Sequence, residues 1–190
     1  MYSPSQKKKK RDTVDRTARH LVVNRQPHKA LRLIDEYLST INRNDVRLLV
    51  LKGNIYDSQG KFAEAKKAYD KAIRIDPNNT HALIDLGEYY AFCGHDYRKA
   101  LRHFDKVLHL LESGRYGDNQ EEAYVEACSE KASILLKLGR VREALKCIVR
   151  GLERFPTSRL LSDSLQETQE HFHKLRTGRR RPTPTIRPRR

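Results

Sequence analysis

Apolar residues recur along this chain at the spacing of a single helix face. In "GKFAEAKKAYDKAIRIDPNN", residues 60 to 79, Ala65, Ala68, Tyr69, Ala72 and Ile73 fall at i, i+3, i+4, i+7 and i+8, with charged residues between them. Gly60 suits the end of a preceding helix, and Asp76, Pro77, Asn78 and Asn79 stop this one, because proline cannot continue the backbone ladder. The same periodicity predicts helices at 12–24, 27–42, 45–59, 61–75, 79–93, 97–112, 120–138, 140–154 and 158–175. The small-sided face of residues 65 to 73 raises the question of what it packs against.

A shift of 34 residues lays Gly53 on Gly87, Tyr56 on Tyr90 and Gly60 on Gly94. One inserted residue in "GHDYRKA" then brings Ala65 opposite Ala100, Tyr69 opposite Phe104 and Ala72 opposite Val107. A third copy reads Ala132, Leu135, Gly139, Ala144, Ile148, Gly151 and Pro156. A fourth, upstream, reads Ala18, Leu21, Ala30, Ile34, Tyr37 and Leu38 but lacks the turn glycine and final proline.

On these residues the chain resembles the tetratricopeptide repeat proteins over roughly residues 12 to 156. The fold expected is all-α: a right-handed superhelical array of antiparallel helix pairs, a solenoid of three to four repeats. Gly53 and Ala65 let two helix backbones approach, and the aromatic one turn away fills the wedge beside them. A pair of this kind cannot bury its face alone, so several must stack. Residues 158–175, with Leu161, Leu165, Phe172 and Leu175, read as a capping helix. The domain expected is 12–175, between a basic disordered tail at 1–11 and a Pro/Arg-rich disordered tail at 176–190. Lys52, where the family usually has leucine, departs from the pattern. "ESGRYGDNQ", residues 112 to 120, is an insertion that reads as a surface loop or as part of a binding face.

The resemblance implies that the first helix of each pair lines a concave, partner-binding surface. Registering the copies places Arg47, Asn54, Asp57, His81, Asp85, Glu88, Glu126, Glu130 and Ser133 there, an acidic groove on balance. Family members that hold the acidic tails of Hsp70 or Hsp90 use a carboxylate clamp of Lys, two Asn, Lys and Arg. Here Asn54 matches, while Val50, Asp85, Glu126 and Glu130 stand in the other places. The expected partner is therefore a protein or peptide that is basic or amphipathic; the alternative is that these acids only solvate an exposed face.

The chain of 190 residues has a formal net charge of +15, but 13 of those charges lie in residues 1 to 11 and 174 to 190. The stretch between is close to neutral. Lys7, Lys8, Lys9, Lys10 and Arg11 at one end, and Arg179, Arg180, Arg181, Arg187, Arg189 and Arg190 at the other, could meet RNA or DNA phosphates without regard to sequence, or only solvent. "KKKKR" also looks like a nuclear localisation signal, so the expected compartment is cytoplasmic, or nuclear in a cell that has a nucleus. No stretch approaches the ~20 apolar residues that cross a bilayer.

The chain shows no P-loop, nucleophile elbow, HExxH or dinucleotide fingerprint, and its three cysteines make neither a CxxC pair nor an even set. His171 and His173 point to different sides of a helix and do not share an ion. Cys128 falls at a packing position, and Cys147 on a more open one. No catalytic residue, cofactor or metal is expected. The reading is a non-catalytic scaffold or adaptor. Beside it stand a nucleic-acid or ribonucleoprotein-associated protein binding through its tails, and an assembly or secretion chaperone. Oligomeric state is not read from the sequence.

Overall fold

The computed structural model describes residues 2–114 and 120–178, and every secondary-structure element among them is an α-helix. In order these are α1 (Pro4–Val23), α2 (Pro27–Thr40), α3 (Val46–Ser58), α4 (Phe62–Ile75), α5 (Thr80–Phe92), α6 (Tyr97–Glu112), α7 (Gln120–Lys137), α8 (Val141–Arg154) and α9 (Arg159–Gly178). The chain divides into two compact units, residues 1–123 and 124–190.

Local chemistry sets the helix ends. The side chains of Asp45, Asn79 and Asp96 accept from the backbone N–H three residues on, starting α3, α5 and α6. Gly60 and Gly139 end α3 and α7 with φ of 71° each, the left-handed region that a glycine enters without steric cost. In two turns a residue other than glycine takes this conformation. Arg25 (φ 57°) takes that conformation between α1 and α2, where the repeat pattern lacks its glycine. Between α5 and α6 it is His95 (φ 46°), and not the aligned Gly94, that turns the chain, because the inserted residue moves the bend one place along.

The helix bounds agree with the sequence pattern to within a few residues except at α1. The run Lys7 to Arg11, expected in a disordered tail, belongs to this helix. Ser3 and Gln6 form a reciprocal capping box: the Ser3 hydroxyl accepts from the Gln6 N–H, and the Gln6 side chain accepts from the Ser3 N–H. Pro4 occupies the first turn, where its missing N–H is not needed. From α2 the Tyr37 hydroxyl donates to the Lys7 carbonyl at 2.9 Å, tying the basic turn to the fold.

In the first unit α1 pairs with α2, α3 with α4 and α5 with α6. The question raised by the alanine-rich face is answered here: Ala65, Tyr69 and Ala72 of α4 are buried, Tyr69 lying over Gly53 of α3. A Cβ on Gly53 would come within 2.2 Å of the Tyr69 ring, and one on Gly87 within 2.7 Å of Phe104, so both pairs are held at a separation that only glycine permits. Ile34, Leu48, Ile55 and Ala82 continue the core. In the second unit Gly151 of α8 plays the same part, since a Cβ there would meet Leu161 of α9 at 2.8 Å and Cys128 of α7 at 3.2 Å.

The helix expected as a cap is α9. Its Leu161 is fully buried and Leu165 partly so, whereas Phe172 is 38% exposed and does not seal a core as its spacing suggested; buried Thr168 takes the inward position one turn earlier. The side chain of Leu175, the inserted segment 115–119 and the whole of 179–190 lie outside the described residues.

Candidate partner-binding cleft

Helices α3 and α5 are the first members of their pairs, and each presents polar residues one turn apart: Asn54 and Asp57 on α3, Asp85 and Glu88 on α5. All four line one cleft of about 400 Å³. Tyr69 from α4 also lines it, and its walls include Phe62, Tyr89, Phe92 and Cys93. Phe62 and Phe92 are 43% and 53% exposed, so the carboxylates sit beside accessible aromatic faces.

Asn54 organises the interior. With its amide group turned inward, the nitrogen lies 2.9 Å from the Tyr69 hydroxyl, 3.1 Å from the Asp85 carboxylate and 2.9 Å from the Val50 carbonyl, and its two N–H groups are shared among these three acceptors. Burial, followed by the charges of Asp85, Asp57 and Glu88, pushes the Tyr69 phenol far above its ordinary range and keeps it protonated. Burial and Asp57 likewise raise the Cys93 thiol. In both, burial comes first and the neighbouring carboxylates act in the same direction, and among the described residues no lysine or arginine lines the cleft.

Of the other expected groove residues in this unit, neither lines the cleft. Arg47 turns its guanidinium to α1, 2.6 Å from buried Asp15 and 3.6 Å from Asp12, and shares the neutralisation of Asp15 with Arg19 at 3.1 Å. His81 is exposed in the first turn of α5.

In the second unit Glu126, Glu130 and Ser133 share a face of α7 at i, i+4 and i+7. Glu126 is exposed and Glu130 half-buried; burial raises the Glu130 carboxyl above its ordinary value, Glu126 adds to the shift and Lys137 opposes it. Of the basic residues, Lys7 to Arg11 form a turn and more of α1. There the Lys10 amine donates to the Tyr2 hydroxyl at 2.6 Å and Arg11 pairs with Asp12 at 2.9 Å. Arg179, Arg180, Arg181, Arg187, Arg189 and Arg190 lie outside the described residues.

The aromatic walls were not singled out from the sequence. Phe62 and Phe92 sit at helix ends, off the repeat's packing positions, and the signal available was that large apolar residues stood where packing did not require them. A second cleft, of about 690 Å³, opens where α2, α3 and α4 meet. Arg43, Lys52, Lys67 and Lys71 line it together with Asp35 and Glu64, and the Lys52 amine lies 2.5 Å from Asp35. Among the described residues no group of three or more His, Cys, Asp or Glu is placed to hold a metal ion, and no helix is long and apolar enough to cross a membrane.

Comparison with known proteins adds a family model, tetratricopeptide repeat, which matches residues 46–79. A protein STIP1 homolog of Dictyostelium discoideum is 28% identical over 118 residues, which is 62% of this chain and 19% of that protein; the chain thus spans about a fifth of that relative's length. Among solved structures, the Sgt2 TPR domain from Aspergillus fumigatus superposes with a TM-score of 0.63 at 17% identity, covering 77% of this chain and 91% of that one. The first TPR of Spaghetti (RPAP3), bound to the HSP90 peptide SRMEEVD, superposes with a TM-score of 0.55 at 25% identity, covering 67% and 93%.

Proposed function

We propose, from the match to a tetratricopeptide repeat model at residues 46–79 and the all-helical repeat array, that this chain is a non-catalytic scaffold whose α3–α5 cleft receives a basic side chain of a partner protein. The observation that carries this reading is the convergence of Asp57, Asp85 and Glu88 beside exposed Phe62 and Phe92 in one cleft. A lysine or arginine entering there meets three carboxylates, and aromatic faces attract the same cation.

The cleft argues against the ligand seen on the RPAP3 domain. The peptide SRMEEVD carries two glutamates and an aspartate, and this cleft offers it Asp85 in the place of a clamp asparagine. Asn54, the one clamp residue that matches, already spends its amide on Asp85, Tyr69 and Val50.

The test is a pair of titrations with the full chain. One labelled peptide is an amphipathic helix with an arginine flank, and the other is SRMEEVD. The basic peptide is expected to bind and the acidic one not, with binding of the first weakened by salt. Tighter binding of SRMEEVD, or basic-peptide affinity unchanged by D85N/E88Q, overturns the reading.

A second reading is favoured by the helical placement of Lys7 to Lys10, which sets several cations on one ordered element. On that reading the basic ends hold nucleic acid through phosphates. Eight tail charges on single-stranded RNA give a slope of about −6 in log affinity against log salt. A flat salt dependence, or retention of RNA after both ends are deleted, removes it. The cytoplasmic setting, with a nuclear one through "KKKKR" as its alternative, belongs to the same proposals, and fluorescent tagging of the full chain and of a variant lacking residues 7 to 11 checks it.

A further inference from the structure

The second unit contains a pair of thiols that the scaffold role leaves unused. Cys128 on α7 is fully buried and Cys147 on α8 is partly exposed, and their Sγ atoms lie 3.2 Å apart. The contact is reciprocal: the Cys128 thiol donates to the Cys147 carbonyl at 3.1 Å, and the Cys147 thiol to the Cys128 carbonyl at 3.8 Å. Closing a disulfide needs the sulfurs to approach to about 2.05 Å, a shift of about 1 Å that rotation about the side-chain bonds and small helix movements can supply. Gly151, whose absent Cβ would sit 3.2 Å from the Cys128 sulfur, leaves room on that side.

We propose that Cys128 and Cys147 are a dithiol modification site, oxidised to a disulfide between α7 and α8 by a low-molecular-weight disulfide such as oxidised glutathione. The difference in exposure assigns the roles. Cys147 loses its proton to solvent and its thiolate attacks one glutathione sulfur, so that a Cys147–glutathione bond forms, the glutathione S–S bond breaks and one glutathione thiolate leaves. Cys128 then loses its proton and attacks the Cys147 sulfur. The Cys128–Cys147 bond forms, the bond to glutathione breaks and a second glutathione thiolate departs. The two released thiolates take up the two protons. The protein dithiol has lost two electrons and the glutathione disulfide has gained them.

The consequence is local to this unit. The bond ties the helix that presents Glu126 and Glu130 to its neighbour across the Gly139 turn. Cys93 belongs to the first unit, where burial raises its thiol, and it serves as an internal reference.

The experiment treats the native full chain with oxidised glutathione and follows intact mass and digested peptides without reduction. The expected product is the protein lighter by two hydrogen atoms, with Cys128 and Cys147 in one cross-linked fragment and a raised thermal midpoint. In C128S the glutathione adduct at Cys147 should accumulate, because nothing resolves it, and in C147S Cys128 should stay reduced. Should C128S fail to fold, a time course on the unaltered chain still decides: the adduct at Cys147 must appear before the cross-link and decay into it. A stable adduct at Cys147 in the unaltered protein, or both thiols remaining reduced while Cys93 reacts, overturns the proposal.

Discussion

The two clefts that share α3 are built from the same kind of helix and reach opposite electrostatic solutions. On one side of α3, Asn54 and Asp57 join Asp85 and Glu88, so the lining charges all have one sign. On the other, Lys52 meets Asp35 at 2.5 Å, and Lys67, Lys71 and Arg43 share their cleft with Glu64. The larger cleft supplies its own counter-ions. In the smaller one the charged residues of the lining are acidic, and burial first, with neighbouring carboxylates adding to it, raises the Tyr69 phenol and the Cys93 thiol. On the proposed reading size does not select the binding surface; the sign of the lining does, since a cation entering a same-sign cleft gains charge stabilisation.

The largest effect should come from reversing that sign. D85K/E88K is expected to weaken a basic peptide by tenfold or more, a change of about 1.4 kcal/mol per decade, while K67E/K71E in the other cleft leaves the affinity within about twofold. Fluorescence anisotropy of one peptide against both variants decides it. Equal losses from the two would mean that net charge governs binding and that the contrast between the clefts is irrelevant. Circular dichroism of D85K/E88K guards against a loss caused by unfolding.

A packing change should sharpen the same contrast through the floor of the acidic cleft. In G53A the new methyl would stand 2.2 Å from the Tyr69 ring, so the ring must move and release Asn54. Overpacking of this kind is worth about 1–3 kcal/mol, against a helix-propensity gain of about 1 kcal/mol from Gly to Ala. The expected result is a net loss of stability in urea, together with weaker basic-peptide binding at concentrations where the variant is still folded. Unchanged binding would show that the cleft does not depend on Tyr69.

Much of this architecture was legible in the sequence because the repeat is a packing rule. Gly53, Tyr69, Gly87 and Phe104 are spaced by the geometry of close helix pairs, so matching them also set the register that puts Asn54 and Asp57 on α3 and Asp85 and Glu88 on α5. The parts not legible depend on partners distant in sequence. The helix through Lys7 is tied by the Tyr37 hydroxyl from 30 residues away, and its capping box of Ser3 and Gln6 was visible but stood at the edge of a charge run that read as disordered. Lys52 was visible as a departure from the family pattern, but its partner Asp35 lies 17 residues upstream. Arg47 registered as a groove residue because a first-helix position predicts a face and not a rotamer; two aspartates of α1 turned it away. The contact between Cys128 and Cys147 matches no cysteine motif and follows only from the pairing of α7 with α8.

The contrast between shared and balanced charge extends to α7, where Glu130 is half-buried beside Glu126. Its folded pKa is raised, chiefly by burial, so the folded protein holds that proton more tightly than the unfolded chain does. Below the unfolded value of 4.5 both states are protonated and the residue is neutral in effect. As pH rises through and above that value the charged form is penalised in the fold, and stability falls. E130Q should therefore stabilise the protein modestly at neutral pH, and the gain should vanish below about pH 4. Chemical denaturation of the two proteins across that range tests the sign. An E130Q gain that persists in acid would point to packing rather than charge.

The smallest effect is expected where charge is already balanced. K52L restores the residue usual at this place in the repeat, removes the 2.5 Å pair with Asp35 and withdraws a cation that lies 5.7 Å from the Tyr56 ring. The Lys52 side chain is 22% exposed and that of Asp35 49%, so the aspartate left behind is solvated, and leucine gains apolar contact with α4 in exchange. Ion pairs this exposed contribute about 0–1 kcal/mol, and burying the leucine offsets that. Stability in urea should change by less than about 1 kcal/mol, and the weak salt sensitivity of the parent should disappear in the variant. A loss above about 2 kcal/mol would make the pair a structural requirement of α2–α3 packing. The mixed-sign cleft would then owe its charges to the fold, as Arg47 does at Asp15.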